Sequence, residues 1–147
     1  MLNTLKLSAA SLAFLFLAGC ASVPMESADK DQQLKAFPSP ANNQAGLYIF
    51  RDSSLGPALK KSLYIDDQLI GETATKTYFY RLITPGQHTL STESEFGNNN
   101  LILDAQAGKN HYVRQSIKVG VFVGGAKLEE VSESEGQKGV MESKLAR

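Results

Sequence analysis

From residue 46 onward, apolar and polar positions alternate in short runs separated by turn-forming residues, the period of half-buried strands. Residues 46–51 are apolar on both parities and rich in β-formers, which predicts a strand covered on both faces. Residues 52–57 have loop composition. Residues 62–65 and 68–71 flank Asp66-Asp67, a tight hairpin that lacks the usual glycine at its second turn position. Residues 77–82 form the next strand, and Thr84-Pro85-Gly86-Gln87 suits a type II turn. Residues 87–94 place His88, Leu90 and Thr92 on one face. Residues 96–99 are expected as a loop. Leu101, Leu103 and Ala105 then alternate with Ile102 and Asp104. In residues 111–119, Val113, Ile117 and Val119 share one face, while Tyr112, Arg114, Ser116 and Lys118 share the other. Residues 126–131 are the last strand.

The ends have a helical pattern. Ser27 is expected to cap a short helix over residues 29–35, with Asp29 and Asp31 at its favourable N-terminal end and Pro38 and Pro40 stopping it, the alternative being a disordered linker through Ala45. Phe37 is the expected hydrophobic anchor of this segment on the sheet. Ser132 and Glu135 fit a capping box before a short C-terminal helix that Gly136 and Gly139 weaken. Strands spaced roughly 8–12 residues apart without long helical stretches predict a mainly β fold. The expected architecture is an antiparallel β-sandwich of about seven or eight strands, prealbumin- or immunoglobulin-like, over residues 34–131. Residues 132–147 are expected as a tail carrying the short helix.

The opening segment follows another pattern. Lys6 precedes an apolar run over residues 7–18, broken only by Ser8 and Ser11. This is the charged start and short apolar core of a secretory signal over residues 1–19. It is shorter than the roughly 20 residues a transmembrane helix needs. Leu17-Ala18-Gly19-Cys20 resembles a bacterial lipobox. The resemblance implies a diacylglycerol on the Cys20 thiol, cleavage before Cys20 and acylation of the new amino terminus. It also implies the outer membrane, facing the periplasm, because Ala21 stands where an Asp often retains such proteins at the inner membrane. Residues 20–33 would then be the lipidated terminus, a tether and the first helix. The six residues 21–26 reach at most about 21 Å, so the domain sits close to the membrane.

Composition narrows the partners. Lys+Arg and Asp+Glu number 15 each, and loss of Lys6 with the signal leaves a slight negative excess. That argues against nucleic acid as a partner. Cys20 is the sole cysteine, so no disulfide staples the fold. Tryptophan is absent, which weakens sugar stacking, although five tyrosines remain.

Candidate chemistry is sparse. His88 and His111 would need Asp104 or Glu93 as a third ligand, and none of these has metal-ligand spacing, so no metal or cofactor is expected. No Gly-x-Ser-x-Gly elbow occurs. Asp66-Asp67 reads as a turn rather than a calcium pair. No carboxylate pair is placed for glycoside hydrolysis, and an enzyme is not expected. Two surfaces are candidates for binding. Arg51, Arg81 and Arg114 with Tyr78, Tyr80 and Tyr112 would form a polar aromatic face for peptide or glycan, the alternative being ordinary solvated cross-strand pairs. Residues 120–125 are apolar where loops are normally polar. A strand continuation with glycines at a bulge is expected there, the alternative being an exposed apolar lip built on Phe122.

The order of Leu34-Lys35-Ala36-Phe37, Ala45 to Arg51, Leu63 to Gly71, Tyr78-Phe79-Tyr80, Pro85-Gly86-Gln87-His88-Thr89-Leu90 and Gly108 to Arg114 resembles a family of bacterial lipoproteins known as a domain of unknown function. The hairpin followed by Pro-Gly-x-His is also similar to PEGA domains, which are small β-sandwiches; Asp67 departs from the glycine usual there. The resemblance covers roughly residues 34–131 and transfers no catalytic residues. The expected function is a lipid-anchored envelope protein acting as a non-enzymatic protein-interaction module through a sheet face or an open edge strand. The alternative is a peptidoglycan- or glycan-binding module. Cys20→Ala is expected to abolish incorporation of labelled palmitate into the full chain in bacterial cells. Equal labelling of the variant would refute the anchor.

Overall fold

The consecutive apolar residues of β1 (Ala45–Arg51) are buried on both faces along the whole strand, and this double burial requires layers on either side of it. The computed structural model describes residues 21–147, so the expected signal over residues 1–19 and Cys20 lie outside the described residues. The remaining elements are α1 (Ala28–Leu34), β2 (Lys61–Ile65), β3 (Gln68–Thr73), β4 (Thr77–Ile83), β5 (Gly86–Ser94), β6 (Gly97–Ala105), β7 (Asn110–Lys118), β8 (Gly125–Val131), α2 (Glu133–Met141) and β9 (Lys144–Leu145). A five-stranded sheet in the order β8-β7-β1-β4-β9 faces a four-stranded sheet in the order β3-β2-β5-β6. The mainly β sandwich and both short helices are therefore as expected. Among the described residues no helix is long and apolar enough to cross a membrane.

The five-stranded sheet is mixed, which corrects the expectation of a wholly antiparallel fold. β1 pairs parallel with β7, and β4 pairs parallel with β9. Parallel neighbours need a long crossover connection. Between β1 and β7 the chain runs through β2 and β3 of the opposite sheet, β4 of the same sheet, and β5 and β6 of the opposite sheet again, so no helix is needed.

Leu47, Ile49, Phe79 and Val113 of one sheet meet Leu63, Leu90, Leu103 and Ala105 of the other to form the inner core. Gln115 lies buried within it. Its side chain donates to Thr92 Oγ1 at 2.7 Å and accepts from the Thr73 hydroxyl, so its amide is paired without water. The outer face of the five-stranded sheet carries Tyr48, Phe50, Tyr78 and Tyr112, closed over by Val140 of α2 and Leu145 of β9. Tyr48 stacks on Tyr112 at 5.2 Å between ring centroids, and Phe37 stands 5.6 Å from Tyr48. Phe37 is thus the anchor the sequence predicts.

The helix caps also form as expected. Ser27 accepts from the Lys30 amide, and Ser132 with Glu135 completes a capping box. Gly136 and Gly139 have a role beyond lowering helix propensity. A Cβ on Gly136 would overlap Tyr112, and one on Gly139 would overlap the Phe50 ring. The two glycines let α2 lie directly on the aromatic layer.

Three local expectations are corrected. Residues 96–99 are not a loop: Glu95 and Phe96 make the turn, and Gly97 at φ 108° opens β6. Residues 132–147 are not a tail, since α2 covers the sheet and β9 extends it. Residues 21–26 are not a free tether. The Glu26 amide donates to Leu145 O at 3.0 Å, the Arg147 amide donates to Pro24 O at 2.9 Å, and Val23 packs against the inner core. The β2–β3 hairpin holds with Asp66 at φ 50° and Asp67 at φ 64°, both in the left-handed region. Asp tolerates this conformation better than most residues, so it can stand where glycine is usual.

Gly139→Ala should destabilise the protein by about 1–3 kcal/mol in urea unfolding, through overpacking against Phe50. A stabilisation of about 1 kcal/mol, the ordinary gain in helix propensity, would show that α2 does not pack so closely.

Candidate functional site

The tyrosine and arginine residues do not form a shared surface. Successive side chains of a strand point to opposite faces. Tyr78 and Tyr80 accordingly point outward from β4, whereas Arg81 lies over the Phe79 ring at 5.4 Å and donates to Ile70 O of the opposite sheet at 3.1 Å. Tyr78 and Tyr112 are buried under the helices. The Tyr78 hydroxyl donates to Asp31 Oδ1 at 2.8 Å, and the Tyr48 hydroxyl donates to Leu34 O at 2.9 Å. Burial pushes the Tyr48, Tyr78, Tyr80 and Tyr112 phenols above their ordinary range. Arg51 is fully buried and braces the β1–β2 loop, donating to Leu59 O and Gly56 O at 2.7 Å each and to Leu55 O at 3.1 Å. Arg114 lies 5.5 Å from the centre of the Phe50 ring and 3.5 Å from Asp52 Oδ2. The expected polar aromatic face is thus corrected to a buried tyrosine layer with its arginines dispersed.

Both histidines tie turns together. His88 Nδ1 lies 2.6 Å from Asp66 Oδ2, and its Nε2 donates to Thr84 O at 2.8 Å. Burial disfavours the imidazolium, but these two bonds outweigh it and hold the His88 pKa above the ordinary value. Asp66 also accepts from the Thr89 amide at 2.9 Å, which links the two hairpins at that end. His111 Nδ1 lies 3.0 Å from Glu130, and its Nε2 accepts from the Gln106 amide at 2.9 Å. Among the described residues, no group of three or more His, Cys, Asp or Glu side chains is arranged to hold a metal ion.

The opposite end of the sandwich carries the distinctive feature. Residues 120–125 do not continue the strand. β7 stops at Lys118 and β8 begins at Gly125, leaving a loop whose Val119, Val121 and Phe122 are 86%, 81% and 82% exposed. The alternative reading, an apolar lip, therefore describes this segment. Phe96 in the β5–β6 turn and Leu55 in the β1–β2 loop are exposed as well. Leu55 and Leu59 line a shallow cleft with Phe122 and Val123, while Phe96 lines its neighbour with Val119 and Gly120. The three loops together form one apolar tip.

Glu95 shapes this tip. Its carboxylate accepts from the Val121 amide at 2.8 Å and the Phe122 amide at 2.5 Å. Those two bonds hold its pKa below the ordinary carboxylate range. An acidic side chain therefore binds the loop backbone and leaves the apolar side chains pointing outward. Sequence reasoning singled out Phe122 and missed Leu55, Glu95 and Phe96. Phe96 before Gly97, at a turn, was the available signal.

The comparisons with known proteins cover this framework. Residues 41–126 match the family described as "Protein of unknown function (DUF2846)". That span runs from just before β1 into β8 and includes all three tip loops. The chain is also similar to an uncharacterized protein of Haemophilus influenzae, 52% identical over 132 residues, which is 90% of this chain and 79% of that protein. No solved structure matches.

Glu95→Ala should speed hydrogen exchange at the Val121 and Phe122 amides while leaving the β7 amides protected. Unchanged exchange at those two amides would show that the carboxylate does not hold the loop.

Proposed function

The chain belongs to the DUF2846 family, and we propose that it is a non-catalytic interaction module of the bacterial envelope, anchored by lipid on Cys20 to the periplasmic face of the outer membrane. Its working surface is the apolar tip formed by Leu55, Phe96, Val119, Val121, Phe122 and Val123. The observation that carries this reading is the exposure of those side chains on a backbone that Glu95 holds in place. Contiguous exposed apolar patches of this kind mark interaction sites on proteins that are otherwise well covered. Elsewhere the aromatic residues are spent on the fold. Tyr48, Tyr78 and Tyr112 are buried and cannot serve as a stacking platform.

The anchor and the sandwich suit each other. A single acyl chain gives only marginal attachment, whereas the set implied by a lipobox holds a protein in the membrane durably. Residues 21–26 are pinned to the C-terminal strand, so the domain stays at the membrane rather than ranging on a leash. The small β-module likeness to PEGA domains fits a domain that presents loops rather than a catalytic cleft.

A photo-crosslinking side chain at position 122 of the full chain should give specific adducts in cells, to protein or to lipid, and one at the exposed position 69 should not. Equal background at both positions would sink the proposal. Phe122→Ser should leave stability within about 0.5 kcal/mol of the parent protein, as expected for a surface substitution.

A further inference from the structure

We infer that the occupant of the apolar tip is the lipid bilayer itself, so that the sandwich stands on the membrane with its β1–β2, β5–β6 and β7–β8 loops seated in the interface. This rests on the reading of the tip as the interaction face and of Cys20 as the lipidated residue. It adds what the tip touches and which way the domain faces.

The first support is the path of the chain. The Ala21 amide donates to Pro57 O at 2.9 Å. Pro57 belongs to the loop that supplies Leu55 and Leu59 to the tip. Cys20 is the next residue in sequence, so acyl chains on it would enter the bilayer beside the tip. The docking of Val23, Pro24 and Glu26 on the core and the C-terminal strand prevents this segment from swinging to the far end.

The second support is how the loop backbone is satisfied. The boundary between headgroups and acyl chains offers fewer acceptors than a protein partner, so backbone seated there is favoured when it carries its own partners. The Val121 and Phe122 amides, beside the most exposed apolar side chains, are both taken by Glu95. An apolar loop with internally satisfied amides is suited to lipid.

The third support is charge. Lys118 is exposed beside the tip, where a long side chain reaches phosphate headgroups while its stem lies along apolar surface. The acids nearby are already engaged. Asp52 faces Arg114, Glu72 faces Lys60, Glu93 faces Lys61, and Glu142 faces Lys76.

The chain contains no tryptophan, so an introduced indole is a sole reporter. Full-length F122W, with V119W as a second reporter, is reconstituted into vesicles of phosphatidylethanolamine and phosphatidylglycerol, a fraction of which carries bromine on the acyl chains. L69W, at the opposite end of β3, serves as the control. The expected result is a shift of emission to shorter wavelength and loss of most of the signal to bromine for F122W and V119W, with L69W unaffected. If acylated protein floats with the vesicles while all three indoles stay unquenched, membrane seating is overturned and the tip faces a protein, with the anchor reading intact. If the protein carries no lipid but F122W is quenched on adding vesicles, the seating stands and the anchor reading falls. If it carries no lipid and F122W stays unquenched, both fall.

Discussion

The aromatic outer face of the five-stranded sheet has to be kept from water, and both ends of the described chain are committed to that task. Tyr48, Phe50, Tyr78 and Tyr112 form one layer, and an aromatic side chain buries about 150–250 Å² of surface. No second sheet covers this side. α2 does so directly, with Gly136 over Tyr112 and Gly139 over Phe50, and α1 with Phe37 covers the remainder. Asp31 joins these parts. It accepts from the Tyr78 hydroxyl at 2.8 Å and the Leu145 amide at 3.1 Å, and it lies 3.0 Å from Lys35. A helix, a strand of the sheet and the C-terminal strand thus meet at one carboxylate.

That commitment determines where the N-terminal segment can go. Because β9 extends the sheet beside β4, the residues before α1 have an edge to lie against, and the Met25–Ala146 bridge holds them there. The path then packs half-buried Val23 against the inner core and brings Ala21 to the β1–β2 loop. The parallel pairing of β1 and β7 has a matching effect. Both strands finish at the same end, so the loop after β1 and the loop after β7 are neighbours. The apolar tip and the start of the described chain meet through topology, without any local signal for their proximity.

This explains what was legible in the sequence. Period-two alternation located the strands because one-sided burial is recorded residue by residue, as in Leu101, Leu103 and Ala105. The caps were legible because Ser27, Ser132 and Glu135 act within one helical turn. The β2–β3 hairpin was legible from its turn, but the parallel β1–β7 pairing was not, since that crossover depends on which strands leave for the other sheet. The expected polar aromatic face does not form for a related reason. Arg81 and Tyr80 adjoin in sequence but point to opposite sides, and the tyrosine layer reads as exposed until α2 is known to cover it. Gly136 and Gly139 looked like helix weaknesses because what they accommodate comes from strands far away in sequence.

Glu95 gives the tip its physical logic. An exposed run of Val119, Val121, Phe122 and Val123 would ordinarily fold back onto apolar surface, because collapse removes those side chains from water. Collapse here would require the Val121 and Phe122 amides to leave an ionised acceptor, and such charge-assisted bonds are roughly twice as strong as neutral ones. The acceptor is itself placed by the tight β5–β6 turn, whose Gly97 adopts φ 108°. Rigid sheet geometry therefore reaches the loop through one carboxylate. The apolar side chains stay outward in the free protein, so whatever they contact meets a surface that needs no further ordering on binding.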